Sequence, residues 1–579
     1  MNAADKIAGF AASAPLSRST LRRAPSSGFL SKSFKKMGRS IREWGYGNGL
    51  YEQRLKGRHP VQLLGSPDDP APGNAMLASA IYGGDLLHDG EKHKLHEAFW
   101  LQIGDKASSA FRDYAHSFHW LQDLAQSGDQ AKARDAAETI LDWWMPVGEQ
   151  WNKDIWAAEI LARRLINWLA HAPLIMSSLD LVYRSKVLHA MARQTRHLMR
   201  TCGDVEPGLP EIYTATALTL AGLLLPGGEG WRTKGVRTLE AKIKTFILPD
   251  GGTASHNPAD AIRCMQLLIL VRGAYIDTDN DLPSWVQITL DRLAPYVRAM
   301  RHADSSFAQI GGVSAEGSFG VDAILLASEA KGKAIENATH SGIQRISMGQ
   351  STLIMDCSPP PSPQLSKKAH ASTGSFEFSV GQDRLIVNMG PAKLDGPLAE
   401  LGSMARSTAA HSALIISDTN SSRILDDGSI GKGVNETLTL RESTEDGTTA
   451  KLTHDGYLKR FGVKQERSVT LASSGKHLSG TDRLFGPKLK KLRGASIAIR
   501  FHLHPSVEAL KAPDGRITLE SKNGRVWIFD VDEGTAEIEE SLYLKKPDSP
   551  ANSRQIVVRV PIKEKTTPIC RWVFSEMDT

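Results

Sequence analysis

The chain lacks the cysteine patterns that mark disulfide-rich proteins and zinc ribbons. Its 579 residues include four cysteines, and none of them stands in a Cys-x-x-Cys pair. Because both kinds of protein need closely paired cysteines, neither is indicated. We expect Cys202, Cys264, Cys357 and Cys570 to be small buried hydrophobic residues.

Long apolar runs and export signals are also missing. No stretch approaches the ~20 consecutive apolar residues that cross a bilayer, so we predict no transmembrane segment. A secretory signal needs a charged start before its apolar stretch, whereas residues 7–14 are short, rich in alanine and preceded by Asp5. We therefore recognise no signal peptide.

Motifs for nucleotide and serine-hydrolase chemistry are absent from the sequence. It contains no Gly-x-x-x-x-Gly-Lys-Ser/Thr loop, no dinucleotide fingerprint in a strand and helix setting, and no Gly-x-Ser-x-Gly elbow. We predict no nucleotide cofactor and no serine-hydrolase triad.

The composition that remains is typical of a globular protein. Hydrophobic residues make up 41% and charged residues 23%, with a formal net charge of +6. These values disfavour wholesale disorder. Much of the positive charge lies in residues 1–43, which predicts a basic, flexible N-terminal segment rather than a nucleic-acid-binding surface.

Helical periodicity dominates residues 44–335. Apolar residues recur there at spacings of three and four. The clearest segments are 107–125, 131–144, 154–171, 179–200, 211–225, 235–247, 259–274 and 282–300. Short breaks join them, which favours helical hairpins wound into an incomplete (α/α) toroid, with a globular bundle as the alternative.

Alternation typical of strands dominates residues 336–579. Short β-branched runs such as 351–355 and 555–560 are separated by Asp-Gly and Asn-Gly pairs, which suit the turns of antiparallel hairpins. We predict a C-terminal antiparallel β-sandwich, making the chain an α+β multidomain protein. A cleft between the two domains is the natural place for a site.

One motif in the second half carries two histidines. The sequence KAHASTGSFEF covers residues 368–378, an apolar run leads to Asn388, and a second run begins after His411. With residues 156–168, residues 249–258 and the HDGY run 454–457, this motif resembles the signature of the heparinase II/III-like polysaccharide lyases. The resemblance implies β-elimination on an acidic, uronate-containing polysaccharide, in the cell envelope or periplasm. Because no signal peptide is recognised, the cytoplasm is the alternative.

The resemblance also directs attention to particular residues. Elimination needs groups that neutralise the uronate carboxylate, remove a proton and protonate the leaving oxygen. Where family members carry a Gly-Asn-His run, this chain has Gly208-Leu209-Pro210, and Lys368 replaces the first histidine of the motif. We expect Lys368, His256 and Tyr457 to supply catalysis by altered chemistry.

Metal and substrate residues are implied in the same way. His370, Asn388 and His411 align with a family His, Asp and His set, which implies a zinc site, although asparagine is a poorer zinc ligand than aspartate. Arg164, Asn167 and Trp168 lie on one predicted helix and are candidates for binding an acidic sugar.

Two functions remain open from the sequence. The first is a polysaccharide lyase, and the second is a non-catalytic polysaccharide-binding or assembly protein descended from a lyase. The sequence does not determine which polysaccharide is involved or the oligomeric state.

Overall fold

The helical half of the protein precedes its β-sheet half. The computed structural model describes residues 16–25, 45–46, 48–57, 59–315, 320–562 and 567–577. The helices of the first half are α1 (Gly49–Leu55), α2 (Ala75–Tyr82), α3 (Phe99–Lys106), α4 (Ser109–His116), α5 (Leu121–Ala125), α6 (Gln130–Gly148), α7 (Ala158–Ala170), α8 (Ala172–Ile175), α9 (Leu181–Thr201), α10 (Leu209–Leu224), α11 (Glu229–Phe246), α12 (Pro258–Asp277), α13 (Ser284–Ala299) and α14 (Val321–Ala327).

Capping residues set where several of these helices begin. The Asp180 side chain accepts a hydrogen bond from the Val182 N–H at the start of α9, and Asn257 does the same for Ala259 at the start of α12. The helix predicted over 107–125 is divided in two, because Phe118 adopts a positive φ of 57° between α4 and α5.

A cluster of aromatic rings lies in the core of the helical half. Trp144 and Trp168 are fully buried and meet edge to face, with ring centroids 5.4 Å apart. Phe118 lies 5.2 Å from each of these rings. The aromatic cluster therefore stabilises helix packing.

Strands dominate the second half. Outside the sandwich, β2 (Asp85–His88) and β3 (Glu91–Lys94) form a hairpin. The remaining strands are β1 (Ser17–Arg22), β4 (Asn337–Ala338), β5 (Ile343–Met348), β6 (Ser351–Asp356), β7 (Phe376–Val380), β8 (Asp383–Val387), β9 (Leu414–Ile416), β10 (Glu436–Ser443), β11 (Gly447–His454), β12 (Lys464–Ala472), β13 (His477–Phe485), β14 (Ile497–Leu503), β15 (Glu508–Lys511), β16 (Ile517–Glu520), β17 (Val526–Val531), β18 (Thr535–Lys546), β19 (Ser549–Val560) and β20 (Ile569–Glu576). Two short helices, α15 (Ala399–Ala405) and α16 (Leu458–Phe461), lie among them.

These strands form two antiparallel sheets. The first has the order β1-β10-β11-β12-β13-β20-β17-β16-β15, and the second has the order β18-β19-β14-β8-β7-β6-β5-β4, with β9 paired to β14. Apolar side chains from both sheets share one core, in which the Phe376 and Trp572 rings stack 5.6 Å apart. The predicted sandwich is therefore present.

Part of the basic N-terminal segment forms a strand, whereas a flexible tail was expected there. Residues Ser17–Arg22 pair antiparallel with β10, and the Arg22 Nε atom lies 2.9 Å from a Glu436 carboxylate oxygen. Burial alternates along this strand, which suits a sheet edge. Residues 1–15 and 26–44 lie outside the described residues.

Hydrogen bonds join the helical half to the sandwich. Asp250 accepts from the backbone N–H groups of His340 and Ser341, each at 2.7 Å, and His302 lies 2.7 Å from the Ser379 hydroxyl. These contacts fix how the two halves face each other. Among the described residues, the helices are too short or too polar to cross a membrane.

Candidate functional site

A small cavity lies where the helical half meets the sandwich. Its lining includes His256, Tyr296 and Gly311 from the first half, and Asp356 and His370 from the second. The cavity volume is about 10 Å³, which is the space of one water molecule. Ligand pockets usually measure roughly 300–1,000 Å³, so a sugar ring does not fit in this cavity.

The N-terminal segment supports one wall of this cavity. Pro360 and Pro361 line it, and the Arg23 guanidinium donates to the Pro361 carbonyl at 3.0 Å and to the Ile430 carbonyl at 2.6 Å. Burial lowers the pKa of Arg23. This arginine therefore holds the proline-rich loop against the sandwich.

The two histidines of the motif contact each other directly. His370 Nδ1 lies 3.1 Å from His411 Nε2, and His411 Nδ1 lies 2.7 Å from the Ser407 carbonyl oxygen. Because a carbonyl only accepts, His411 carries its proton on Nδ1, and His370 then donates from its own Nδ1. Burial lowers the pKa of His370 well below its ordinary value and that of His411 to about 4.

His256 faces the same cavity from the helical side. The His256 backbone has a positive φ of 55°. A Cβ atom at position 311 would lie 1.9 Å from the His256 carbonyl oxygen, so glycine is required at position 311. The His256 Nδ1 atom is buried with no hydrogen-bond partner among the described residues. Burial lowers the pKa of His256, although the Asp356 and Asp250 carboxylates oppose this effect.

Asp356 orders the loop that surrounds the motif. One carboxylate oxygen accepts from the Ser358 hydroxyl at 2.6 Å, and the other accepts from the Ser372 hydroxyl at 2.7 Å. The carboxylate is therefore engaged in holding the loop.

Lys368 is the exposed member of the predicted catalytic set. Its backbone carbonyl is packed against Gly312, while its side chain faces solvent. Burial raises the pKa of Asp260, and a hydrogen bond from Ser255 together with the charge of Lys368 reduces this rise. The Ser255 hydroxyl lies 2.6 Å from the Asp260 carboxylate.

Tyr457 does not fit the catalytic role expected for it. Its ring is 1% exposed, and its hydroxyl donates to the Leu414 carbonyl at 2.9 Å inside the sandwich core. Burial raises the pKa of this phenol. A buried phenol that donates to a backbone carbonyl is placed to stabilise the fold and cannot reach a polysaccharide.

The residues expected to bind substrate form part of the helical core. Arg164 is fully buried, the Asn167 amide donates to the Ser117 carbonyl at 2.8 Å, and Trp168 is fully buried. The sequence correctly predicts that these three residues lie on one helix. Other helices, however, cover the face of that helix from which their side chains project. Their surroundings do not fit a substrate-binding role.

The predicted metal ligands provide a poor donor set for zinc. His370 and His411 are adjacent, but the Asn388 side-chain oxygen accepts from the Ser412 N–H at 2.9 Å and its amide donates to Glu377 at 3.2 Å. In the part of the chain that the structure describes, no three His, Cys, Asp or Glu side chains are grouped for a metal. We derive no metal-dependent step.

Two charged residues that position the site were not singled out from the sequence. Glu377 accepts from the backbone N–H groups of Gln309 at 3.0 Å and Asn388 at 2.9 Å, joining the halves. Burial raises the pKa of Glu377, but Arg384 and His302 more than offset this effect. The signal in the sequence was a glutamate between two phenylalanines of a strand.

Arg406 is the other such residue. Its guanidinium donates to the Ala369 carbonyl at 2.8 Å and to the Gly428 carbonyl at 2.6 Å. These bonds fix the backbone next to His370. No local pattern in the sequence distinguished this arginine from a surface residue.

Comparison with known proteins finds a family model that matches the second half of the chain. Residues 330–573 match the family model described as heparinase II/III-like, C-terminal. This match covers the β-sandwich half of the chain and confirms the resemblance seen in the motifs.

Similarity to solved structures extends across both halves. Heparinase III superposes with a TM-score of 0.66 at 15% identity, covering 94% of this chain and 91% of that chain. A mutant of the heparan sulfate lyase HepC from Pedobacter heparinus gives a TM-score of 0.64 at 16% identity, covering 89% and 86%. At these identities the likeness shows the fold, a helical toroid followed by a β-sandwich.

A curated relative is similar along nearly the whole sequence. FtsZ-localized protein C from Caulobacter vibrioides is 26% identical over 570 residues, covering 93% of this chain and 94% of that protein.

Proposed function

We propose that the protein is a non-catalytic heparinase II/III-like protein that acts in assembly together with FtsZ, rather than by cleaving a polysaccharide. The observation that carries the non-catalytic part of this proposal is the cavity of about 10 Å³ between His256 and His370. It is too small to hold a sugar ring between the two imidazoles.

Elimination chemistry requires several groups around one uronate. A carboxylate neutraliser, a base and an acid must all contact the same sugar. Of the three predicted catalytic residues, Tyr457 is in the core and His256 faces the small cavity, so Lys368 alone has an exposed side chain. One lysine does not supply all three roles.

The similarity to FtsZ-localized protein C supports an assembly role. That match covers 93% of this chain, so it includes both the helical half and the sandwich. The likeness to heparinase III supports the fold and does not favour cleavage.

A lyase remains the second candidate because of one observation. The exposed ammonium of Lys368 lies near Asp260, whose carboxylate is bound by Ser255. An ammonium that pairs with the uronate carboxylate and a carboxylate that accepts the proton supply two of the three groups that elimination needs.

Absorbance of unsaturated uronate products separates the two candidates. We expect no rise when the purified protein is incubated with heparan sulfate, hyaluronan or alginate, while an active heparinase provides the positive control. A rise that is lost in Lys368→Ala and kept in Lys367→Ala would establish a lyase instead. Lys367 is the matched control because it is also exposed and precedes Lys368 in the same loop.

Fluorescence microscopy tests the assembly role separately. We expect a fluorescent fusion of the full chain, expressed in Caulobacter vibrioides beside labelled FtsZ, to concentrate where FtsZ does. A uniform distribution through the cell would contradict the proposal.

A further inference from the structure

A large basic groove lies on the sandwich, and none of its lining residues contributes to the His256 cavity. Its volume is about 1630 Å³. Strands β14 and β19 form the floor, and the loop from Gly486 to Ser496 forms one wall. The cationic lining residues are Lys488, Lys490, Lys491, Arg493, Arg500 and Arg559, and Asp418 is the acidic residue found among them.

The charge of the groove is only partly neutralised. Arg500 and Arg559 share Glu539, at 3.7 and 2.5 Å. The side chains of Lys488, Lys490 and Lys491 are exposed, and none of the three forms an ion pair with another described residue. Like charges gathered in a concave surface raise the local concentration of anions, so the groove favours an anionic ligand.

The floor of the groove distinguishes between kinds of anionic polymer. Leu489 in the wall and Ala498 in the floor are partly exposed aliphatic residues, and no aromatic ring is found among the lining residues. Proteins commonly hold single-stranded nucleic acids by stacking bases on aromatic rings. A cationic lining with aliphatic rather than aromatic side chains instead suits an acidic peptide.

We propose that this groove binds an acidic peptide segment of a partner protein. Carboxylates of the peptide contact Lys488, Lys490 and Lys491, and its apolar side chains pack against Leu489 and Ala498. This inference goes beyond the proposed function, because it holds whether or not the protein cleaves polysaccharides.

Fluorescence anisotropy with a labelled peptide of repeating Asp-Leu-Glu units tests the groove. We expect the variant Lys488→Glu/Lys490→Glu/Lys491→Glu to weaken binding at least about tenfold, because each change replaces attraction with repulsion. The control Lys331→Glu/Lys333→Glu/Lys522→Glu changes the net charge equally at exposed positions outside the groove, and we expect its affinity to stay within about twofold.

Competing ligands and a neutral variant complete the test. Equal weakening in both charge-reversal variants would overturn the proposal, since it would show attraction to overall charge. Tighter binding of oligo-dT, heparin or phosphatidylglycerol vesicles than of the peptide would also overturn it. If the groove variant unfolds, Lys488→Gln/Lys490→Gln/Lys491→Gln replaces it, and unchanged peptide affinity in that folded variant would contradict the proposal.

Discussion

The helical half and the sandwich each bury an arginine completely, and they satisfy it differently. Arg164 on α7 donates to neutral acceptors: the Gln194 side-chain oxygen at 2.8 Å, the His116 carbonyl at 2.9 Å and the Ile155 carbonyl at 3.0 Å. Arg467 on β12 faces the Asp482 carboxylate, with two bonds of 2.8 and 2.9 Å.

The difference shows how each half organises its polar interior. Burial without a counterion lowers the pKa of Arg164 to about 9, and its guanidinium lies 4.7 Å from the Trp144 ring centroid. Arg467 also donates to the Gly374 and Ser412 carbonyls, each at 2.8 Å, and so holds both segments of the histidine motif. An arginine near a lyase-like motif is therefore structural in both halves.

The largest effect is expected from breaking the charge pair. Arg467→Met leaves the Asp482 carboxylate buried without its cation, so we expect the free energy of unfolding to fall by about 3–5 kcal/mol. Guanidinium-induced unfolding measures this loss. The double variant Arg467→Met/Asp482→Leu should lose less, because no charge remains buried, and an equal or larger loss would contradict this account.

A smaller loss is expected from Arg164→Met. It leaves three neutral acceptors without their donor, which costs roughly 2–3 kcal/mol by the same measurement. Heparin affinity of the folded variant provides the second readout. Unchanged stability together with lost heparin binding would restore the substrate-binding role that its burial argues against.

The smallest effect is expected on how the free energy of unfolding depends on pH. This dependence compares one buried histidine from each half directly. Burial lowers the pKa of His197 in α9 and of His454 in β11 to about 4. Since an unfolded histidine titrates near 6.5, the unfolded chain binds more protons between these values, and stability falls as the pH drops from about 6.5 to about 4.

Unfolding at pH 7 and pH 5 measures this sensitivity. We expect His454→Gln and His197→Gln each to reduce the loss of stability between these pH values by roughly 1–2 kcal/mol. The His454 ring accepts from the Gly456 N–H at 3.2 Å, a bond that requires an unprotonated nitrogen. An unchanged pH dependence in both variants would show that these imidazoles do not govern acid sensitivity.

Much of the architecture could be predicted from residue patterns. The change from helical periodicity to strand alternation predicted a toroid followed by a sandwich, and the motif spacing correctly suggested that His370 and His411 lie near each other. Strand β1 was missed because its pairing partner, β10, lies more than 400 residues away and no local pattern records that contact.

The chemistry around the motif was harder to predict. Periodicity places Arg164 on a helix, and a sequence resemblance singles out Tyr457, but neither reveals which elements cover these side chains. Both proved to be buried, with hydrogen bonds to backbone carbonyls.

The sequence by itself determined that a helical half precedes a β-sheet half, because hydrophobic periodicity and turn residues act locally. It also determined which polar residues make up the histidine motif. Only the tertiary structure decided which of those residues meet solvent. Burial, the width of the His256 cavity and the shape of the basic groove depend on contacts between segments far apart in the chain, and those contacts determine where a ligand can bind.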